Sequence, residues 1–219
     1  MSAGVNADTG ARMDAIMRMV PVIPVLVIED AASARPIAEA LVRGGLRVLE
    51  VTLRTAAAID VIREMSAVEG AVVGAGTVLS ADDVDRSVDA GARFIVSPGL
   101  TETVARAAAA ARVPFLPGVA NAGDIMRGLD LGLDRFKFFP AEAAGGLAAL
   151  KALAAPFGAV RFCPTGGITA ESAGAWLSHP SVLCVGGSWI VPATSPDLRA
   201  VEAAARAATG LRNSAVSPA

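Results

Sequence analysis

Short apolar runs of strand-like composition recur eight times along this chain, 20 to 26 residues apart, each followed by a stretch of helical periodicity. The runs are PVIPVLVI (21–28), RVLEVTL (47–53), AVVGAGTV (71–78), RFIVSPG (93–99), VPFLPGV (113–119), RFKFFP (135–140), VRFCPTGG (160–167) and VLCVGGS (182–188). The helical patterns between and after them cover Ala34–Arg43, Ala56–Val68, Ala81–Asp89, Glu102–Ala111, Ala122–Leu131, Gly146–Ala154, Ala170–Leu177 and Pro196–Ala208. Ser80, Thr101 and Thr169 stand where helix caps belong. Strands separated by helices run parallel, because each helix carries the chain back to the edge it left. Eight such units without a mid-chain reversal predict an α/β protein with a closed (β/α)8 TIM barrel rather than an open sheet. Residues 11–19 (ARMDAIMRM) predict a short N-terminal extra helix across the barrel bottom. The whole chain, 1–219, reads as one domain, with 1–10 and 212–219 expected as disordered tails.

At 219 residues and 53% hydrophobic, the chain can bury a full core. A formal charge of −2 leaves no electrostatic footprint for nucleic acid. No apolar run reaches membrane-spanning length, so no membrane partner is expected. The run VPVIPVLVI (20–28) holds two prolines and leads straight into Glu29 and Asp30, which argues against an export signal and for a cytoplasmic protein. Cys163 and Cys184 are distant in sequence and flanked by apolar residues, with no nearby histidine. They read as buried side chains rather than a metal or redox pair, so neither metal nor cofactor is expected. The chain has one histidine, His179, and no tyrosine. Proton transfer must therefore rest on carboxylates, lysine, hydroxyls or water.

In a barrel, chemistry sits at the carboxyl ends of the strands. Alternation along the second strand puts Val48, Glu50, Thr52 and Arg54 on one side and Leu49, Val51 and Leu53 on the other, so Glu50 and Arg54 face the interior near the top. An internal salt bridge would be a poor stability device, which points these charges toward function. The third strand delivers Thr77. Its GAG is a weak dinucleotide signal, since Leu79 stands where a third glycine belongs, and the small residues read instead as room for a ligand. Thr165 precedes Gly166 and Gly167 on the seventh strand, and Gly186 and Gly187 precede Ser188 on the eighth. Two glycine pairs, each expected to lead into a helix start, predict a phosphate site where this fold usually keeps one.

Lys137 is one of only two lysines, against seventeen arginines. On the sixth strand it shares the inward side with Arg135 and Phe139, while Phe136 and Phe138 face the helices. It therefore points toward the space Glu50 and Arg54 also face. An amine confined there can act as a nucleophile toward carbonyls.

GGLRVLEVTLRT, GAGTVL, SPG, LPGVA, FKFFPAEAAGG, CPTGGI and VGGSW follow one another over residues 21–192. As a set they resemble the class I aldolases of the 2-dehydro-3-deoxy-phosphogluconate (KDPG) family, some of which also act on 4-hydroxy-2-oxoglutarate (KHG). The resemblance implies a Schiff base between Lys137 and the C2 ketone of the phosphorylated 2-keto-3-deoxy sugar acid. C3–C4 cleavage then gives glyceraldehyde 3-phosphate and pyruvate. It also implies Glu50 as proton shuttle, and Arg54, Thr77 and Thr165 around the substrate carboxylate. Pro98 and Phe139 would be walls, and Gly166, Gly167, Gly187 and Ser188 would hold the phosphate. A homotrimer is the family's assembly. Three other readings stand beside this one. One is a relative acting mainly on 4-hydroxy-2-oxoglutarate or the galactonate epimer. Another is a phosphosugar isomerase or synthase with Glu50 as base and no covalent adduct. The last is a non-catalytic barrel that binds phosphorylated metabolites.

Overall fold

The structure is a computed structural model that describes residues 7–192 and 196–211. The eight strand-like runs become β1 (Val22–Leu26), β2 (Val48–Thr52), β3 (Val72–Gly76), β4 (Phe94–Val96), the pair β5 (Phe115–Leu116) and β6 (Gly118–Val119), β7 (Arg135–Phe138), β8 (Arg161–Pro164) and β9 (Val185–Gly187). The fifth run is split because Pro117 has no N–H to give to the ladder. Its carbonyl still accepts from Lys137 N–H at 2.9 Å, so the break leaves the run tied to its neighbour.

All pairings are parallel, in the orders β5-β4-β3-β2-β1-β9 and β6-β7-β8. Bridges from Phe162 to Val182 and from Thr165 to Gly186 join β8 to the β9 run and complete the ring. Around it lie α2 (Ala34–Arg43), α3 (Ala58–Ser66), α4 (Ala81–Asp89), α5 (Glu102–Ala110), α6 (Ala122–Asp130), α7 (Gly146–Ala154), α8 (Ala173–Leu177) and α9 (Leu198–Thr209). Helix starts follow local chemistry. Ser80 and Asp83 form a reciprocal capping box, and the side chains of Thr101 and Asn121 accept from Val104 and Asp124 N–H. The first and last helices of the outer ring meet where Gly44 lies against α9. A Cβ there would come within 2.4 Å of that of Ala205, and Thr209 Oγ1 donates to Gly44 O at 3.0 Å.

The N-terminal extra helix is longer than expected. α1 runs from Ala7 to Arg18, so residues 7–10 are helical rather than a disordered tail. Met13, Ile16 and Met17 make its buried stripe, spaced at three and four residues, and together with Val20 just after the helix they close the barrel bottom. Asp14 on the same helix accepts from Arg135 at 2.6 Å and from Arg18 at 2.6 Å. Burial pushes the Asp14 carboxyl up, but these two guanidinium hydrogen bonds outweigh it and hold the group below the usual carboxylate range. Arg135 thus serves the bottom of the barrel, two residues before Lys137 serves the top. Residues 1–6 and the tail 212–219 lie outside the described residues.

Candidate active site

A cavity of about 360 Å³ opens at the carboxyl ends of the strands. Its wall includes Arg54, Thr77, Pro98, Lys137, Phe139, Thr165, Gly166, Gly167 and Ser188. Those nine residues come from separate stretches of sequence, and the parallel topology delivers them to one mouth.

Lys137 and Glu50 stand on β7 and β2, far apart around the ring. Both project inward, so their side chains meet, with Nζ 3.1 Å from Oε1. Lys137 is 6% exposed and Glu50 3%. Nζ also lies 5.3 Å from the centre of the Phe139 ring. Phe136 and Phe138 point the other way, Phe136 against Gly128 of α6 and Phe138 toward Trp176 of α8. A buried ion pair gains little stability over an apolar pair of the same size. The pair's value lies in chemistry: a primary amine with a carboxylate in reach to take and return its protons.

One expectation about these charges changes. Glu50 faces inward and is buried against Lys137, without itself lining the cavity. Arg54 does not join Glu50 inside the strand pattern. β2 ends at Thr52, so strand alternation no longer governs Arg54, which is exposed in the following turn while still lining the cavity. Among the described residues Arg54 makes no ion pair, which leaves its guanidinium fork free for an anion.

The glycines of β3 do not make room for a ligand, as their sequence suggested. A Cβ on Gly76 would come within 2.3 Å of Glu50 Oε1, and one on Gly74 within 2.4 Å of the Phe94 ring. They make room for side chains of neighbouring strands. Gly186 does the same for Thr165, whose Oγ1 would be 2.3 Å from an added Cβ. Gly187 is not on the cavity wall; its added Cβ would meet the Trp189 ring. Successive strand residues face opposite ways, so Gly186 takes the inward place and Gly187 the outward one.

Thr77, directly after β3, has φ of 59°, a left-handed conformation uncommon for a β-branched residue. Such strain gathers at functional sites. Gly166 and Gly167 take φ of 105° and 81°, which only glycine adopts easily. The helices after the two glycine pairs start later than the expected Ala170 and Pro196: α8 begins at Ala173 and α9 at Leu198. Thr169 caps a turn instead: its Oγ1 accepts from Ser172 N–H, and Ser172 Oγ accepts from Thr169 N–H. Among the described residues, an anion at Gly166 and Gly167 would meet loop backbone, since α8 starts six residues beyond Gly167.

Sequence reasoning passed over three residues of the wall: Val25, Val27 and Ile168. The signal for the valines was the same period of two that placed Lys137. It went unused because the first strand ends without polar residues. Cys163 and Cys184 are free and buried, as expected. Burial, then the contact with Cys163, pushes the Cys184 thiol well above its ordinary range, so it is a poor nucleophile. Among the described residues there is no group of three His, Cys, Asp or Glu placed to hold a metal ion, and no helix long and apolar enough to cross a membrane.

A sequence model of the KDPG and KHG aldolase family matches residues 13–204. The 2-dehydro-3-deoxy-phosphogluconate aldolase of Zymomonas mobilis is 60% identical over 204 residues, covering 93% of this chain and 98% of the relative. The KHG/KDPG aldolase of Escherichia coli is 51% identical, covering 82% of this chain and 85% of the relative. Among solved structures, the Zymomonas mobilis aldolase with 3-phosphoglycerate superposes with a TM-score of 0.93 at 59% identity, over 95% of this chain and all of that one. The Legionella pneumophila KDPG aldolase, with pyruvate captured as a covalent carbinolamine, superposes with a TM-score of 0.86 at 43% identity, over 90% of this chain and 97% of that one.

Proposed function

The chain belongs to the KDPG and KHG aldolase family, and on that premise we propose how its residues carry out the reaction. It is a class I aldolase, a carbon–carbon lyase that cleaves 2-dehydro-3-deoxy-6-phosphogluconate to pyruvate and glyceraldehyde 3-phosphate. The observation that carries the residue assignment is the buried contact between Lys137 Nζ and Glu50 Oε1, at 3.1 Å, beneath an open cavity.

Lys137 gives a proton to Glu50 and attacks the C2 ketone. The resulting carbinolamine takes a proton on its hydroxyl and loses water, leaving a cationic iminium. Glu50 then removes the proton from the C4 hydroxyl. The C3–C4 electrons move onto the iminium, and glyceraldehyde 3-phosphate departs. The enamine that remains is protonated at C3. Water adds at C2, and the lysine leaves with a proton as pyruvate is released. Glu50 touches the amine that carries the intermediates, which makes it the proton carrier in a site served by neither tyrosine nor histidine.

Binding fixes the ketone against the amine. Arg54 pairs with the substrate carboxylate, assisted by the hydroxyls of Thr77 and Thr165, while Pro98 and Phe139 are the walls beside the reacting carbons. The phosphate sits against Gly166, Gly167 and Ser188, with Gly187 contributing through its backbone alone. Anchors at both ends of the substrate convert binding into orientation.

The KHG/KDPG name of the Escherichia coli relative supports 4-hydroxy-2-oxoglutarate as a second substrate. That molecule ends in a carboxylate at C5, nearer the reacting carbons than the phosphate that the sugar acid carries on C6. A solved native KDPGal structure is 25% identical, against 60% for the Zymomonas mobilis relative, which favours the gluconate over the galactonate epimer. A cytoplasmic homotrimer completes the reading: the assembly follows the family, and a phosphorylated substrate does not cross membranes. Pyruvate release from the two epimers and from 4-hydroxy-2-oxoglutarate, after treatment with a chelator, tests this function. The highest kcat/KM is expected on the gluconate compound, undiminished by the chelator. No pyruvate from any of the three would end the aldolase reading.

A further inference from the structure

Glu142 is a carboxylate four residues beyond the end of β7, and the mechanism does not use it. Its surroundings are unusually specific for a loop residue. The Trp176 indole N–H of α8 donates to Glu142 Oε1 at 3.1 Å. Trp176 is itself buried, and its ring centre lies 6.3 Å from that of Phe138, next to Lys137 on β7. On its other side, the Glu142 stem presses on the glycine loop after β8: a Cβ on Gly167 would lie 2.8 Å from Glu142 Cβ and Cγ. Two backbone bonds join the same loops, Ala141 N–H to Thr165 O at 2.8 Å and Glu142 N–H to Gly166 O at 3.0 Å.

We propose that Glu142, pinned by Trp176, is a positioning residue that sets the conformation of the Gly166–Gly167 loop and thereby the affinity for the substrate's distal phosphate. This rests on assigning that loop to the phosphate. Gly166 and Gly167 both adopt left-handed φ, a freedom that leaves a glycine loop many alternatives in the absence of a brace. Glu142 and Trp176 supply the brace from outside the cavity, since neither lines it. The carboxylate's charge is not needed for that. Near a phosphate it is mildly repulsive; what holds the loop is the accepted indole hydrogen bond and the packed stem. A glutamine keeps both.

The test compares Glu142→Ala, Glu142→Gln and Trp176→Phe in two assays: KM and kcat on the phosphorylated sugar acid, and half-saturation of borohydride trapping by pyruvate, which has no phosphate. Glu142→Ala and Trp176→Phe should raise KM for the phosphorylated substrate about tenfold, the effect of one lost hydrogen bond. In both, kcat and pyruvate half-saturation should stay within about twofold. Glu142→Gln should match or improve on the parent KM. A Glu142→Ala protein with unchanged KM, or one that loses pyruvate trapping in parallel, overturns the proposal. So does a Glu142→Gln protein as weak as the alanine variant. Gly167→Ala separates this from the underlying assignment. If it leaves KM unchanged, the loop does not hold phosphate and both ideas fall. If it raises KM while Glu142→Ala does not, only the role of Glu142 falls.

Discussion

Gly76 seats Glu50: an added Cβ would lie 2.3 Å from Oε1 and 2.8 Å from Cδ, inside any permitted contact. Glu50, the proposed acid–base group, is therefore placed by the space a glycine leaves on the neighbouring strand as well as by Lys137. Gly76→Ala should push the carboxylate away from Nζ and lower kcat on the order of 10²-fold, the lower end of what a positioned acid–base group contributes. Steady-state kinetics checks this, with circular dichroism to establish that the barrel still folds. Full activity in a folded Gly76→Ala protein would mean that Glu50 has room to spare.

Glu50→Gln keeps the volume and removes the proton acceptor. We expect kcat to fall on the order of 10²- to 10⁴-fold with KM little changed, because the group acts on protons in flight rather than on bound substrate. Stopped-flow or quench kinetics should show both imine formation and C3–C4 cleavage slowed. Loss of affinity with kcat intact would instead make Glu50 a binding group.

Thr77 carries backbone strain and a hydroxyl at the same position, and substitution separates the two. Thr77→Gly relieves the left-handed φ of 59°, so its thermal midpoint should equal or exceed the parent's, while the hydroxyl contact to the carboxylate is lost. Half-saturation by pyruvate should rise about tenfold. Thr77→Val should show the same loss of affinity without the relief of strain. An unchanged pyruvate response in both would remove Thr77 from the carboxylate site.

Asp14 ties α1 to the barrel bottom through Arg135 and Arg18, and its carboxyl is held below the usual range despite partial burial. A depressed folded value contributes stability that is present above the unfolded value near 3.8 and lost as pH falls below it, through the folded value. Asp14→Ala should cost about 1–3 kcal/mol at neutral pH, and the parent and variant should converge in strong acid. Denaturant melts at neutral and acid pH check the sign. A gap that widens on acidification would show that the coupling runs the other way.

Much of this was written in the period of the sequence. Alternation by two put Lys137 inward and Phe136 and Phe138 outward, and parallel topology then turned scattered strand ends into one mouth. Features that depend on neighbours in space stayed hidden. Gly76 shows its purpose only once β3 is set in register against β2, which pairs Gly76 with Thr52 and brings the inward Glu50 beside it. Arg54 was assigned by alternation that ends two residues earlier. Thr169 carried the chemistry of a cap, but it caps a turn; local hydrogen bonding does not say whether a helix follows. Residues 7–10 looked polar and unpatterned, yet they extend a helix whose stability comes from the buried stripe that follows them. VPFLPGV reads as one strand, and its split at Pro117 follows from a missing N–H whose effect on the ladder shows only beside the neighbouring strand.

Intact-mass analysis after incubation with pyruvate and borohydride, followed by peptide mapping, tests the central claim most directly. One reduced pyruvyl unit per chain, on the peptide containing Lys137 and absent from Lys137→Arg, is the predicted result. An unlabelled protein, or a label on Lys151, would contradict it.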